Sequence, residues 1–485
     1  MRSRPALATL GILLAIAIGV PAGADLLARP AATPIATATP TPALTATPSS
    51  RPSPTAAPTP TPTSPPTPTP TPASAIVPGT ADRSSLDLDA TYDVDVRIEW
   101  ESRLLAVDST MAVTNASGGP IDRLELNTIA ARLGDMTLEA VEVEDRAIEA
   151  SVDDQTIVVP LGGILPDGAT TTVRVAYRST LRTSLGGSSW MFTRANGIVN
   201  AYRWLPWVSR PVPFDRPNHG DPFVTPVSPS VTVRITTDRR MGLATTGERI
   251  EDGGLTQTFR ATDVRDFVIT ASPTYRSTSA KEGDTTVRVF YRPGAPASAM
   301  LRAARDALRE TEALVGPYPY PVFNVAQSAG GYGMEGPGII WIPTGVRSGN
   351  LRYLVHHETA HQWFYGIVGG DQAAEPFTDE AAAELLARYI LGSRRASRCA
   401  AGRLDLPIYD YSSGCYYEIV YIQGSNVLDD IRRDMGTSRF FAALRGWVDE
   451  YRYEIAPTRS LLDALDAATD RDLAPRLKPR FPRFY

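Results

Sequence analysis

Three of the four histidines in this chain fall in the run His356-His357-Glu358-Thr359-Ala360-His361, and the acidic pair Asp379-Glu380 follows shortly after. On a helix, His-Glu-x-x-His puts His357 and His361 one turn apart on a single face, where both imidazoles can reach one metal ion. Glu358 then lies within reach of a water on that ion. A catalytic zinc commonly takes three protein ligands and keeps its fourth position open for water. Glu380 suits the third place best, because it lies on the next expected helix, whose start Pro376 and Thr378 mark. Asp379 is its rival, and the one-residue offset turns it about 100° around the helix. Glu384, one turn beyond Glu380, shares its face and either holds a ligand imidazole from behind or is a solvated acid. Water on such an ion is acidified towards neutrality, and Glu358 is placed to take its proton as it attacks a carbonyl. Hydrolysis of an amide, supported by one zinc ion, is the chemistry these residues would do. His219 and His356, outside the ligand spacing, read as core histidines.

Elements of two kinds must hold these residues in place. From Ala90 to about Pro273 short alternating runs prevail: Tyr92, Val94, Val96, Ile98 and Trp100 are separated by Asp93, Asp95, Arg97 and Glu99, the period of a half-buried strand. Similar runs recur at Val141-Val143, Ile157-Val159, Val173-Val175-Tyr177 and Val231-Val233-Ile235, with turn residues such as Pro166-Asp167-Gly168 between them. An antiparallel β-sandwich over residues 85–280 is the expectation. Beyond it, one more strand at Val287 to Tyr291 and helices over residues 298–315, 351–365 and 379–390 predict an α/β catalytic domain over residues 281–485. Gly366 is the expected stop of the helix that carries the histidines. A further helical region is expected over residues 425–452, and another over 461–468.

The run His357-Glu358-Thr359-Ala360-His361-Gln362-Trp363-Phe364, with Glu380 downstream, resembles the aminopeptidase N family of gluzincin metallopeptidases. Tyr332-Gly333-Met334-Glu335-Gly336 is similar to that family's Gly-x-Met-Glu-Asn substrate-binding strand, and Gly316-Pro317-Tyr318-Pro319-Tyr320-Pro321 before it is also typical. Tyr421-Ile422-Gln423-Gly424 resembles its Tyr-x-x-Gly segment. The resemblance implies a multidomain α+β fold, an N-terminal antiparallel β-sandwich followed by a thermolysin-like catalytic domain. It also implies roles. Glu335 receives the free α-amine of a peptide, with Gly333 and Met334 beside it on the substrate strand; Tyr421 stabilises the oxyanion; Glu358 acts as general base; His357, His361 and Glu380 bind zinc. Three departures stand out. Tyr332 and Gly336 replace the usual Gly and Asn, and Ala381 replaces the Gly that commonly follows the third ligand. The chain also ends at Tyr485, before the large helical domain that closes the site in many members, so burial is not expected to restrict it to chain ends.

The N-terminus points to export. Arg2 and Arg4, an apolar stretch over residues 7–20 and Ala22-Gly23-Ala24 make a signal segment of residues 1–24. The alternative is an uncleaved anchor, though the stretch is shorter than the roughly 20 residues that span a bilayer. Residues 25–84 are rich in Pro, Thr and Ala, which favours an extended stalk over a core. Extracellular or cell-surface placement follows, with the cell envelope as a partner through that segment. A net charge of −5 and the lack of any Lys/Arg run argue against nucleic acid or an anionic membrane face. Cys399 and Cys415 are the only two cysteines, and spacing alone leaves their pairing open. Peptides are the expected substrates and an aminopeptidase the expected activity. Two rivals remain: an endopeptidase or peptidase of narrow specificity with an open site, and a surface-displayed binding module with a vestigial peptidase domain.

Overall fold

The computed structural model describes residues 74–214 and 223–485. The expected signal segment, most of the stalk and His219 lie outside the described residues. Among the described residues, no helix is long and apolar enough to cross a membrane.

Alternation builds the first half. Leu88–Glu99 buries every second side chain and pairs antiparallel with Leu104–Asn115, Tyr92 opposite Met111. These strands centre an eight-stranded sheet, which two four-stranded sheets accompany. The pairing is not wholly antiparallel as the sequence suggested: Leu88–Glu99 runs parallel to Val231–Thr237, Tyr92 opposite Val231. Alternation tells which face a side chain takes and is silent about the neighbouring strand. The long chain between the two strands supplies the crossover that a parallel pair needs.

A five-stranded sheet comes next, in which Thr285–Tyr291, Val322–Ser328 and Ile339–Pro343 run parallel. Val322–Ser328 and Ile339–Pro343 are buried at every residue, the mark of strands covered on both faces. Met334–Gly336 forms the edge, antiparallel to Ile339–Pro343. Helices Ala297–Val315 and Ser348–Ala360 pack against it and against each other, and Phe377–Ile390 packs on Ser348–Ala360. The histidine helix ends at Ala360, earlier than Gly366 would place it. From that point the amides of Gly366, Ile367 and Val368 bond the carbonyls of His361, Gln362 and Trp363, a wider turn than an α-helix allows. The helical region expected over residues 425–452 is two helices, Gly424–Met435 and Thr437–Glu450, separated by Gly436 at φ 90°, where glycine is favoured.

Two fastenings hold the segments around the histidine run. The buried Arg265 guanidinium, from the strand-built half, donates to Thr225 O at 2.7 Å and to Gly366 O, Ile367 O and Glu454 O at 3.3 Å. Burial lowers its pKa to about 10. Its closest approach leaves Gly369 no space, since a Cβ there would sit 2.3 Å from Nη1. Cys399 and Cys415 form a disulfide. The loop it closes is tied to the next helix through Gln423, whose amide donates to Cys399 O at 3.1 Å and Ala400 O at 2.9 Å.

Candidate metal centre

Helix Ser348–Ala360 carries His357 and Glu358, while His361 is its C-cap and keeps right-handed backbone angles of φ −63° and ψ −11°. The two imidazoles therefore stay one turn apart, edge to face at 85°, with their Nε2 atoms separated by 3.3 Å. Glu380, in the first turn of Phe377–Ile390, brings Oε2 to 3.5 Å from His357 Nε2 and 3.4 Å from His361 Nε2. Three acceptor atoms thus form a nearly equilateral triangle. A tetrahedral ion with bonds of about 2.0–2.2 Å would set its ligand atoms roughly 3.3–3.5 Å apart, so the triangle has the size such an ion requires. Glu380 Oε2 is also buried without a hydrogen-bond partner, which a cation would supply. Burial opposes ionisation of Glu380, yet the two imidazoles outweigh it and hold the carboxyl at about 2. Two imidazoles and one carboxylate are a donor set suited to zinc.

Behind the triangle each imidazole has a carboxylate. Asp379 Oδ1 lies 2.6 Å from His361 Nδ1 and receives a second hydrogen bond from Gln372 on its other oxygen. The residue that rivalled Glu380 as a ligand therefore braces a ligand from the far side, as its turn around the helix allows. Glu384 is fully buried, with Oε2 at 3.3 Å from His357 Nδ1, and it accepts from Tyr353 and Arg388. It is no solvated surface acid. Such partners fix ring orientation and commonly carry 10–100-fold in metal affinity. Asp379→Asn is accordingly expected to weaken zinc binding by about that factor, read by competition with a chromophoric chelator. Affinity equal to the parent's would show that Asp379 does not brace the site.

Glu358 projects to the same space and is 5% exposed. Burial raises its carboxyl to about 7, against the opposing pull of both imidazoles. The chain leading into Met334–Gly336 passes directly over it: a Cβ on Gly333 would stand 2.0 Å from Glu358 Oε1. Gly333 is thus the condition for that approach. Met334 is buried, and Glu335 turns inward so that its carboxylate, that of Glu358 and a His361 nitrogen all lie within 4.8 Å of one another. Burial holds the Glu335 carboxyl well above its ordinary pKa. At Gly336 a Cβ would meet Val268 Cγ2 at 2.7 Å, so an asparagine could not be seated there without displacing valine.

Tyr421 sits on a π-helical stretch, Tyr417–Gln423. Its ring stacks on His357 at 5.7 Å between centroids and its hydroxyl donates to Glu380 Oε1. Burial, with the Glu380 charge beside it, pushes the phenol well above its usual pKa, so it remains a donor. The helix approaches closely because Gly424 lacks a side chain: a Cβ there would lie 2.7 Å from the Ala381 Cβ. Ala381, the departure next to the third ligand, is accommodated by that glycine.

The structure brings His357, Glu358, His361, Glu380, Glu335, Gly333, Met334 and Tyr421 to one place. Sequence reasoning gave no role to Gln362, which clamps the histidine run to the edge strand Met334–Gly336 by donating to Gly336 O at 2.9 Å and accepting from Gly338 N at 2.8 Å. Its position beside His361 was the available signal. Tyr353 and Gln372 carried no signal of their own.

No protein-family model matches the sequence, and no curated protein matches it. Several solved structures do. A glutamate-to-alanine mutant of an M1 zinc metallopeptidase from Deinococcus radiodurans superimposes with a TM-score of 0.63 at 21% identity, over 83% of this chain and 96% of that one. A mutant two-domain M1 zinc metallopeptidase bound to L-arginine gives 0.64 at 20%, over 84% and 96%. The Deinococcus mutant bound to a Tyr-Ser-Ala substrate gives 0.61 at 21%, over 83% and 95%. The likeness is one of fold, a β-sandwich followed by an α/β domain with two-domain M1 architecture.

Proposed function

We propose that this chain is an exported zinc metallopeptidase and that it acts as an aminopeptidase. The triangle of His357, His361 and Glu380 carries the reading, because it has the donor set and spacing a single zinc ion takes. Zinc held there would acidify a water and polarise a peptide carbonyl. Glu358, raised to about 7, is matched to accept a proton near neutral pH and to return it to the leaving amine. Tyr421 offers a neutral hydroxyl to the carbonyl oxygen as negative charge gathers on it. Glu335 is a buried carboxyl in want of a cation, and the α-ammonium of a free peptide would supply one and draw it back to its charged form. The M1 proteins of like fold bound to L-arginine and to Tyr-Ser-Ala support a peptide as ligand. Residues 1–24 would direct export, as a cleaved signal or as an anchor to the cell envelope.

One observation favours an endopeptidase as the second reading. Gly336 brings no side chain to the place where the resemblance puts an amide that grips the first residue, and Val268 fills the space. Matched peptides with free and acetylated N-termini separate the two. The zinc-loaded chain is expected to cleave the free peptides and to lose at least tenfold in kcat/KM on the acetylated ones. Equal rates would transfer the assignment to an endopeptidase, and cleavage of neither would favour a binding module.

A further inference from the structure

The last turn of helix Phe377–Ile390, the residues just after it and helix Gly424–Met435 line a cavity of about 300 Å³ that contains none of the three metal ligands. Four guanidiniums line it, those of Arg388, Arg394, Arg432 and Arg433, against a single carboxylate, Asp429. Asp429 does not balance them. Its Oδ1 accepts from Arg432 Nε at 2.9 Å and Nη2 at 2.8 Å, and its Oδ2 accepts from Arg433 Nε at 2.9 Å and from Arg394. Arg394 also meets Asp430 at 2.8 Å, a carboxylate that Arg476 shares at 3.5 Å, and Arg388 donates through Nε to Glu384. With Asp430 and Glu384 counted beside Asp429, four cations still face three anions.

A guanidinium carries five N–H donors and no acceptor. Arg388 and Arg433 each commit Nε to a carboxylate, and among the described residues no protein oxygen takes their Nη atoms. Those donors remain for a ligand. The arginines are also held in place: Arg388 lies over the Tyr353 ring at 5.2 Å and Arg432 over the Tyr389 ring at 4.9 Å. Donors fixed in this way before a ligand arrives lower the ordering cost of binding it.

We propose that this cavity is a binding site for a phosphate group, held by Arg388, Arg394 and Arg433. Guanidinium forks match the spacing of phosphate oxygens, and forks arriving from one helix end, the segment after it and a second helix suit a tetrahedral anion. The volume stands at the lower end for small-molecule sites, which fits free phosphate or a small phosphate monoester. The site lies behind the metal centre and apart from the reacting peptide. Glu384 is fully buried and gives one oxygen to Arg388, while the other lies 3.3 Å from His357 Nδ1. A bound phosphate would therefore meet the support of a metal ligand from its far side.

The test is calorimetric titration of the zinc-loaded full chain with inorganic phosphate, ionic strength being held constant with sodium chloride. Saturable binding is expected, with a Kd on the order of 1 mM or below. Arg433→Ala removes a side chain that is 58% exposed and is expected to weaken binding about tenfold; Arg394→Ala added to it should weaken binding further. Arg433→Lys keeps the charge without the fork and should fall between parent and Arg433→Ala. Asp429 retains Arg432 as its partner throughout, so Tm and zinc content are expected to hold. Titration with glycerol phosphate separates the two sources: tighter binding assigns the site to a monoester, weaker binding to the free anion. Equal phosphate affinity in the parent and the double variant would place the anion elsewhere, on the zinc ion for one, and overturn the proposal. The absence of saturable binding of either compound would do the same.

Discussion

Glu358→Gln is expected to lower kcat by about 10²- to 10⁴-fold with the metal still bound. Glutamine has the shape of glutamate and keeps its fit beneath Gly333, where any larger group would strike the strand. What it loses is the ability to take up a proton. Burial raises the carboxyl above its ordinary value, which suits the proposed base to take a proton from water and return it to an amine, and the amide can do neither. The ligand triangle does not include Glu358, so zinc stoichiometry measured by atomic emission should equal that of the parent. KM should move little, since the carboxylate acts on the reacting water. A variant that retained a tenth or more of parental kcat would remove Glu358 from the proton path.

Tyr421→Phe should cost about 10²–10³ in kcat, the usual loss for one preorganised donor to a growing oxyanion. The ring's stacking on His357 and its contacts with Tyr416 and Tyr417 are apolar and survive the change. Only the hydroxyl goes. That hydroxyl also donates to Glu380, so a second role is available to it: holding the third ligand. The two roles separate by titration. If the hydroxyl stabilises the reacting oxygen, saturating zinc leaves kcat low; if it merely orients Glu380, zinc affinity falls and excess zinc restores the rate.

The legibility of this molecule was uneven, for physical reasons. His357 and His361 were readable because a helix fixes what residues four apart can share, and Glu380 because the next helix had a visible start. Asp379 and Glu384 were readable as candidates without assignments. Their angles around the helix were known, whereas whether a carboxylate meets an imidazole nitrogen depends on how two helices pack, which periodicity does not encode. The π-helical stretch at Tyr417–Gln423 was invisible for a related reason, since a one-residue change of winding leaves no repeat in so short a run. The parallel pairing of Leu88–Glu99 with Val231–Thr237 lay beyond reach because each strand states its inner face alone. The two cysteines illustrate the same divide: their spacing permitted a bond, and only the fold decided that they meet.

Arg265 has a consequence for how such a molecule can be assembled. Its guanidinium directs hydrogen bonds to backbone carbonyls of the turn that comes after His361, so the turn's path is written partly by a residue far upstream in another layer of the protein. A chain folding from its C-terminal half alone would meet those carbonyls without their donor, and the histidine run would lack its anchor. The strand-built half is then a template for that turn as much as its neighbour.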